Sequence, residues 1–202
     1  MGEATIISVA TTSFLVGLSG ALMPGPLLAL TVGETVRYGF RAGPLLVLGH
    51  AILELALVMA LVFGLSRIVG NTLVVSIVGI VGGLALIYMG FSAARQSWRN
   101  VTLLGGAGKT ANRNLMVSGM IVSIANPYWV AWWAIIGTTY LLWSLPLGAG
   151  GVAAFFGGHI SADIVWYALI GLIVARGKQY ISNRIYRWFL VVCGIALIGL
   201  GI

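Results

Sequence analysis

The chain carries six predominantly apolar stretches of 17 to 28 residues, and a helix needs about 20 to cross the hydrocarbon core of a bilayer. They run roughly over Thr5–Val32, Ala42–Ser66, Thr72–Ala94, Leu115–Tyr140, Ala149–Ala175 and Tyr186–Ile202. This pattern leaves few choices. Backbone in hydrocarbon has no water to bond, so each stretch has to satisfy its own N–H and C=O groups as a helix. Composition agrees: of 202 residues, 60% are hydrophobic and 7% charged, against about 25% charged in soluble domains. So few charges cannot cover a water-soluble globule of this size. The 29 glycines suit helices that approach backbone to backbone. The predicted fold class is all-α integral membrane, with six transmembrane helices.

The loops set the orientation. Loop one holds Arg37 and Arg41, loop three Arg95, Arg99, Lys109 and Arg113, and loop five Arg176, Lys178, Arg184 and Arg187. Loop two holds only Arg67, and loop four has no basic residue. The positive-inside rule places loops one, three and five in the cytoplasm and both termini outside. The net charge of +7 therefore reflects loop ends rather than a basic patch, and no nucleic-acid partner is expected. Cys193 is the single cysteine, which excludes an internal disulfide, a CxxC redox pair and a thiolate metal cluster. With Glu3 near the start and no basic stretch before the first apolar run, a cleaved signal peptide is not expected.

The two halves match in order. Gly20-Ala-Leu-Met-Pro24-Gly25-Pro26 in the first stretch faces Ile124-Ala-Asn126-Pro127 in the fourth. Leu48-Gly49-His50-Ala-Ile-Leu-Glu54 faces Gly157-Gly158-His159-Ile-Ser-Ala-Asp163, and Gly83–Gly90 faces Gly194–Gly201. Three crossings is an odd number, so a second copy must insert upside down. The predicted organisation is a first three-helix repeat over 1–100, a cytoplasmic linker over 101–114 and a second, inverted repeat over 115–202. Inverted repeats with discontinuous helices typify secondary transporters, whose sites lie at the repeat interface near the breaks. Helices one and four are expected to break at Pro24–Pro26 and Asn126-Pro127. Pro24, Gly25, Pro26, Asn126 and Pro127 are accordingly the candidate substrate region.

Outside the loops few ionisable groups remain. Glu54 and Asp163 are the acids that fall mid-helix, and His50 and His159 are the only histidines. Each histidine precedes its acid by four residues, which places both side chains on one helix face about 6 Å apart along the axis. A charge in the bilayer centre is costly, so such groups face the bundle interior and usually act in transport. Three roles fit. The carboxylates carry protons with histidine partners, the four side chains hold a divalent cation such as zinc or manganese, or each pair is a structural bond. The half-helix N-termini after the breaks offer free N–H groups and positive dipole ends. They suit a substrate carboxylate, with Glu54 or Asp163 for an ammonium group.

Other features have plainer readings. Trp129, Trp132 and Trp133 share a helix face after Asn126-Pro127. They suit an interface or lipid contact, or, with Trp166, the lining of a cation site. Gly79-x-x-x-Gly83 fits either bundle packing or a homodimer contact. Gly105-Gly-Ala-Gly-Lys109-Thr110 lacks the first glycine of a P-loop, where Leu103 stands, and reads as linker. Glu34 and Arg37, three apart near a helix end, read as a solvated pair.

The ordered set of Pro24-Gly25-Pro26, Arg41-Ala42-Gly43, Gly49 with Glu54, Ala85-Leu86-Ile87-Tyr88 before Gly90, Asn126-Pro127, and Ala162-Asp163 with Trp166 resembles the LysE/RhtB family of exporters over nearly the whole chain. The family pattern usually has Asp where Glu54 stands, and the resemblance does not extend to His50 and His159. It implies export of amino acids or similar zwitterionic metabolites, in exchange for protons, from the cell (inner) membrane. It implies no cofactor and no ATP-driving domain. The rival readings are a divalent metal-ion transporter using His50, Glu54, His159 and Asp163, and, more remotely, an intramembrane zinc enzyme. The chain lacks HExxH, and no Ser–Lys or Ser–His dyad can be placed, so no enzyme is expected.

Overall fold

A computed structural model describes residues 4–65, 72–98, 114–177, 180 and 182–202. Among these residues the secondary structure is helical. Every one of the six apolar stretches contains helix. We number the helices α1 (Ile6–Ala21), α2 (Pro26–Tyr38), α3 (Ala42–Ala60, continued by a π turn over Leu61–Leu65), α4 (Thr72–Trp98), α5 (Leu115–Ile124), α6 (Pro127–Trp132), α7 (Thr138–Ser144), α8 (Gly148–Gly177) and α9 (Asn183–Gly201). Residues 101–113 of the expected linker, with its Gly105–Thr110 stretch, and Arg67, Arg99 and Lys178 lie outside the described residues.

Both breaks fall where proline forbids continuation. Pro24 and Pro26 donate no N–H, and α1 stops at Ala21 while α2 restarts with Pro26 at its first position. The two arms diverge by 76°, so the first apolar stretch is two helices rather than one straight rod. In the second half Pro127 again opens a helix, and the Asn126 side chain accepts a hydrogen bond from the Tyr128 N–H. The chain then runs through a π turn over Trp133–Gly137 into α7, and a 3-10 turn over Leu145–Leu147 leads to α8. By length and apolar character, Ala42–Gly64 and the run Pro127–Gly177 are long enough to cross a membrane, and the α1–α2 pair counts as a third such unit.

Three helix pairs dominate the packing: α1 with α8, α3 with α5, and α4 with α9. Each is a close approach of backbones. A Cβ at Gly49 on α3 would overlap the Met116 carbonyl of α5, and one at Gly119 on α5 would overlap that of Leu46 on α3. On α4, a Cβ at Gly83 would come within 2.7 Å of the Gly201 carbonyl oxygen, so Gly83 serves packing inside the bundle. Nothing is described of Gly79 beyond its place in α4.

Large apolar side chains such as Ile7, Leu15, Phe63, Leu73 and Ile77 stand exposed on the outside. Inside are two apolar clusters. One gathers Leu27, Leu28, Leu46, Val47 and Tyr167, the other Val9, Val58, Trp132, Trp133 and Phe155. The middles of α3 and α8 pass between them. Glu34 corrects the expectation of a solvated pair: its carboxylate is only 5% exposed, 3.9 Å from Arg37, whose side chain is 28% exposed. Glu34 lies on the buried face of α2, and Arg37, one turn on, stays partly exposed.

Candidate functional site

The layer between the two clusters is polar. His50 and Glu54 share the inner face of α3, and His159 and Asp163 that of α8, as their four-residue spacing requires. All four are buried. The packing of α3 against α8 closes them into a ring in which imidazoles and carboxylates alternate. His50 Nε2 lies 3.1 Å from Glu54 Oε1 and 3.6 Å from Asp163 Oδ2. His159 Nε2 lies 3.0 Å from Glu54 Oε2 and 3.7 Å from Asp163 Oδ2. Each histidine therefore touches the acid of the other helix as well as its own.

The two acids are held differently. Glu54 Oε1 accepts hydrogen bonds from the Trp129 and Trp133 indole N–H groups, at 2.9 and 2.8 Å. Indole nitrogen only donates, so this oxygen is the acceptor in both bonds. Oε2 is close to His159 but not aligned for a hydrogen bond, which is why short distance and lack of hydrogen bonding coexist there. Among the described residues Asp163 Oδ2 has no hydrogen bond, and the two imidazoles flank it at 3.6 and 3.7 Å.

The histidines differ too. His50 Nδ1 lies 2.7 Å from the Ser123 hydroxyl, which also donates to the Gly119 carbonyl at 2.8 Å. With that hydrogen directed to Gly119, Ser123 Oγ is available to accept from a protonated His50 Nδ1. His159 Nδ1 has no hydrogen-bond partner among the described residues. It faces Gly17 of α1, where a Cβ would lie 2.7 Å away. Trp132 instead stacks on the His159 ring at 4.8 Å and 27°.

A cavity opens onto this ring. It contains ≈ 50 Å³ of room for water centres within ≈ 600 Å³ of empty space that includes its mouth. At the ~10–15 Å³ one water needs, it takes a few waters or a compact solute. Met23, Pro24 and Gly25 of one break and Asn126 and Tyr128 beyond the other line it, with the four ring residues, Ser123, Trp129, Trp132 and Tyr167.

The structure thus gathers His50, Glu54, His159, Asp163, Pro24, Gly25, Asn126 and Trp129 on one cavity. Pro26 and Pro127 open the helices beside it, and Trp133 reaches it through Glu54. Trp166 does not line it; it packs against the α2–α3–α8 apolar cluster. Sequence reasoning missed Ser123 and Tyr167 as site residues, while Trp132, grouped with Trp129 and Trp133 by spacing, does line the cavity. Ser123 sits one turn before the Asn126-Pro127 break and Tyr167 one turn after Asp163, so helical spacing from the named residues could have found both. Among the described residues, His50, Glu54 and Asp163 each present a ligand atom within 4.8 Å of the others, a spacing that could hold a divalent cation.

A family model described as "LysE type translocator" matches residues 18–202. The chain is 23% identical to "Chemotactic transduction protein ChpE" of Pseudomonas aeruginosa, over 96% of each chain. It is 19% identical to "Putative amino acid efflux protein YcgF" of Bacillus subtilis, over 93% of this chain and 90% of that one. No solved structure matches the chain.

Proposed function

The chain belongs to the LysE type translocator family, and from that premise we propose that it is a secondary active transporter that exports amino acids or similar small zwitterions in exchange for protons. The observation that carries this reading is the convergence of both helix breaks and both His–acid pairs on one buried cavity. A ring of two imidazoles and two carboxylates holds and passes protons, and a zwitterion competes with those protons for the same carboxylate. The name of the Bacillus subtilis relative points the same way. A translocator reading leaves no role for catalysis.

Transport needs a second arrangement of the same parts. The pairing of α1 with α8 and α3 with α5, and of α4 with α9, is what a two-fold exchange of the chain halves requires. It supports six crossings in two inverted three-helix repeats that rock about the site. Arg37, Arg95 and Arg176 occupy the last turns of α2, α4 and α8. There they complement the helix dipoles and support a cytoplasmic location for those ends in the inner membrane. Cells expressing the protein and loaded with labelled amino acids test the export reading. Release should quicken over control cells and slow when the proton gradient is collapsed; equal release in both would contradict it.

The ligand atoms of His50, Glu54 and Asp163 favour a second reading, transport of a divalent transition-metal ion as cargo. Cobalt(II) bound to purified protein would then give visible d–d absorption that disappears in His50→Ala. An unchanged spectrum on adding cobalt would exclude it.

A further inference from the structure

We propose that the cavity binds the substrate carboxylate at the open N-terminus of α2 and its ammonium group at Asp163, whereas Asn126 and Glu54, their counterparts, are closed to substrate. This rests on the zwitterion reading above and assigns the two ends of the solute.

The two broken helices restart in unlike ways. Asn126 caps α6 with its own side chain, accepting the Tyr128 N–H. Gly25 occupies the same place before α2 and has no side chain to offer, and no side-chain cap is present. Pro26 removes the first N–H, so those of Leu27 and Leu28 are the first-turn donors left without an intrahelical acceptor. Gly25 and Leu27 line the cavity. Unbonded N–H groups in a membrane interior are costly, and together with the positive end of α2 they favour an anion.

The second, independent observation is Asp163. It is 4% exposed, lines the same cavity and has an Oδ2 without a hydrogen bond. Glu54 is the less available acid: two indole N–H groups occupy its Oε1, and its Oε2, though without a hydrogen bond, lies against His159 Nε2 at 3.0 Å, closer than either imidazole comes to Asp163 Oδ2. One anion site and one cation site in a cavity of this size describe a compact zwitterion. The dipole and the acid together discriminate against amines that lack the carboxylate.

Gly25 gives a clean test. Its φ of −140° and ψ of −177° suit any residue. The nearest atoms to an added Cβ are the Asn126 amide nitrogen and the Met23 carbonyl oxygen, both at 3.8 Å. Gly25→Asn should therefore fold and cap α2 as Asn126 caps α6. In proteoliposomes of the full chain, counterflow of labelled L-alanine, L-serine and L-threonine is measured, with competition by the corresponding amino-acid amides. Gly25→Asn should raise the KM for the responding amino acid tenfold or more while leaving amide competition within about twofold. Gly25→Ala, which adds a Cβ without a cap, should raise it several-fold less. Asp163→Asn should weaken amino acid and amide alike. Wild-type KM in Gly25→Asn, or an equal loss in Gly25→Ala, would overturn the assignment and leave the exporter reading standing. Wild-type protein that moves none of the three amino acids would overturn both.

Discussion

Ser123 holds His50 by its Nδ1 at 2.7 Å, while at the corresponding face of the other half Gly17 stands against His159 Nδ1 and offers it nothing. One histidine of the ring is held by a hydrogen bond at its Nδ1, and the other is held by stacking on Trp132 instead. Ser123→Ala should release His50 at a stability cost of ~1 kcal/mol and slow transport several-fold. Gly17→Ser should crowd the His159 ring and lower transport more strongly. Melting temperature and transport measured on the same preparations check both; transport unaffected by Gly17→Ser would contradict a role in transport for the close fit of His159 against Gly17.

The acids should separate by stability. In Glu54→Gln the side-chain carbonyl can still accept both indole N–H groups, but those bonds lose their charged acceptor, so a loss of ~1–3 kcal/mol is expected. Asp163→Asn loses no hydrogen bond at Oδ2 and should fold nearly as stably while failing to transport. Thermal unfolding in detergent distinguishes the two. An Asp163→Asn protein less stable than Glu54→Gln would contradict a tightly bonded Glu54 beside an available Asp163.

Trp133→Phe removes one of the two indole donors to Glu54 and keeps most of the buried ring. Because the acceptor is a charged group, ~1.5–3 kcal/mol should be lost, with a clear fall in transport. Trp166→Phe, away from the cavity, should leave transport within twofold. Assays of the two variants at matched protein levels compare them directly.

The helix breaks were legible because proline lacks an N–H wherever it stands, and Pro26 and Pro127 open helices as expected. The His–acid pairs were legible because a four-residue spacing fixes one face. What sequence left open depends on contacts between helices. The 76° bend between α1 and α2, the crossing of His50 to Asp163, and the burial of Glu34 follow from how α2, α3 and α8 pack. The indole cluster was half legible: spacing grouped the three tryptophans, but not their seat. Gly137, at the end of the π turn, leaves room for both rings; a Cβ there would lie 2.6 Å from the Trp133 ring and 2.8 Å from that of Trp132.

The glycine contacts predict a folding phenotype. Gly49→Val and Gly119→Val would each drive a side chain into the facing carbonyl across α3 and α5. Backbones this close cannot yield without separating the helices, so both variants should fail to give a monodisperse protein in detergent. Gly157→Val, with open space beside it, should behave as wild type by size-exclusion chromatography.

Exchange of protons for a small zwitterion at the His50–Glu54–His159–Asp163 ring has a direct readout. Proton movement across proteoliposomes is followed with an internal pH dye while small amino acids, and separately Mn²⁺, Zn²⁺ and Cd²⁺, are added. Protons should move on adding an amino acid, and should not do so in Asp163→Asn. Proton movement with a metal ion alone, lost in His50→Ala and His159→Ala, would contradict zwitterion exchange and make the ring a metal-transport site.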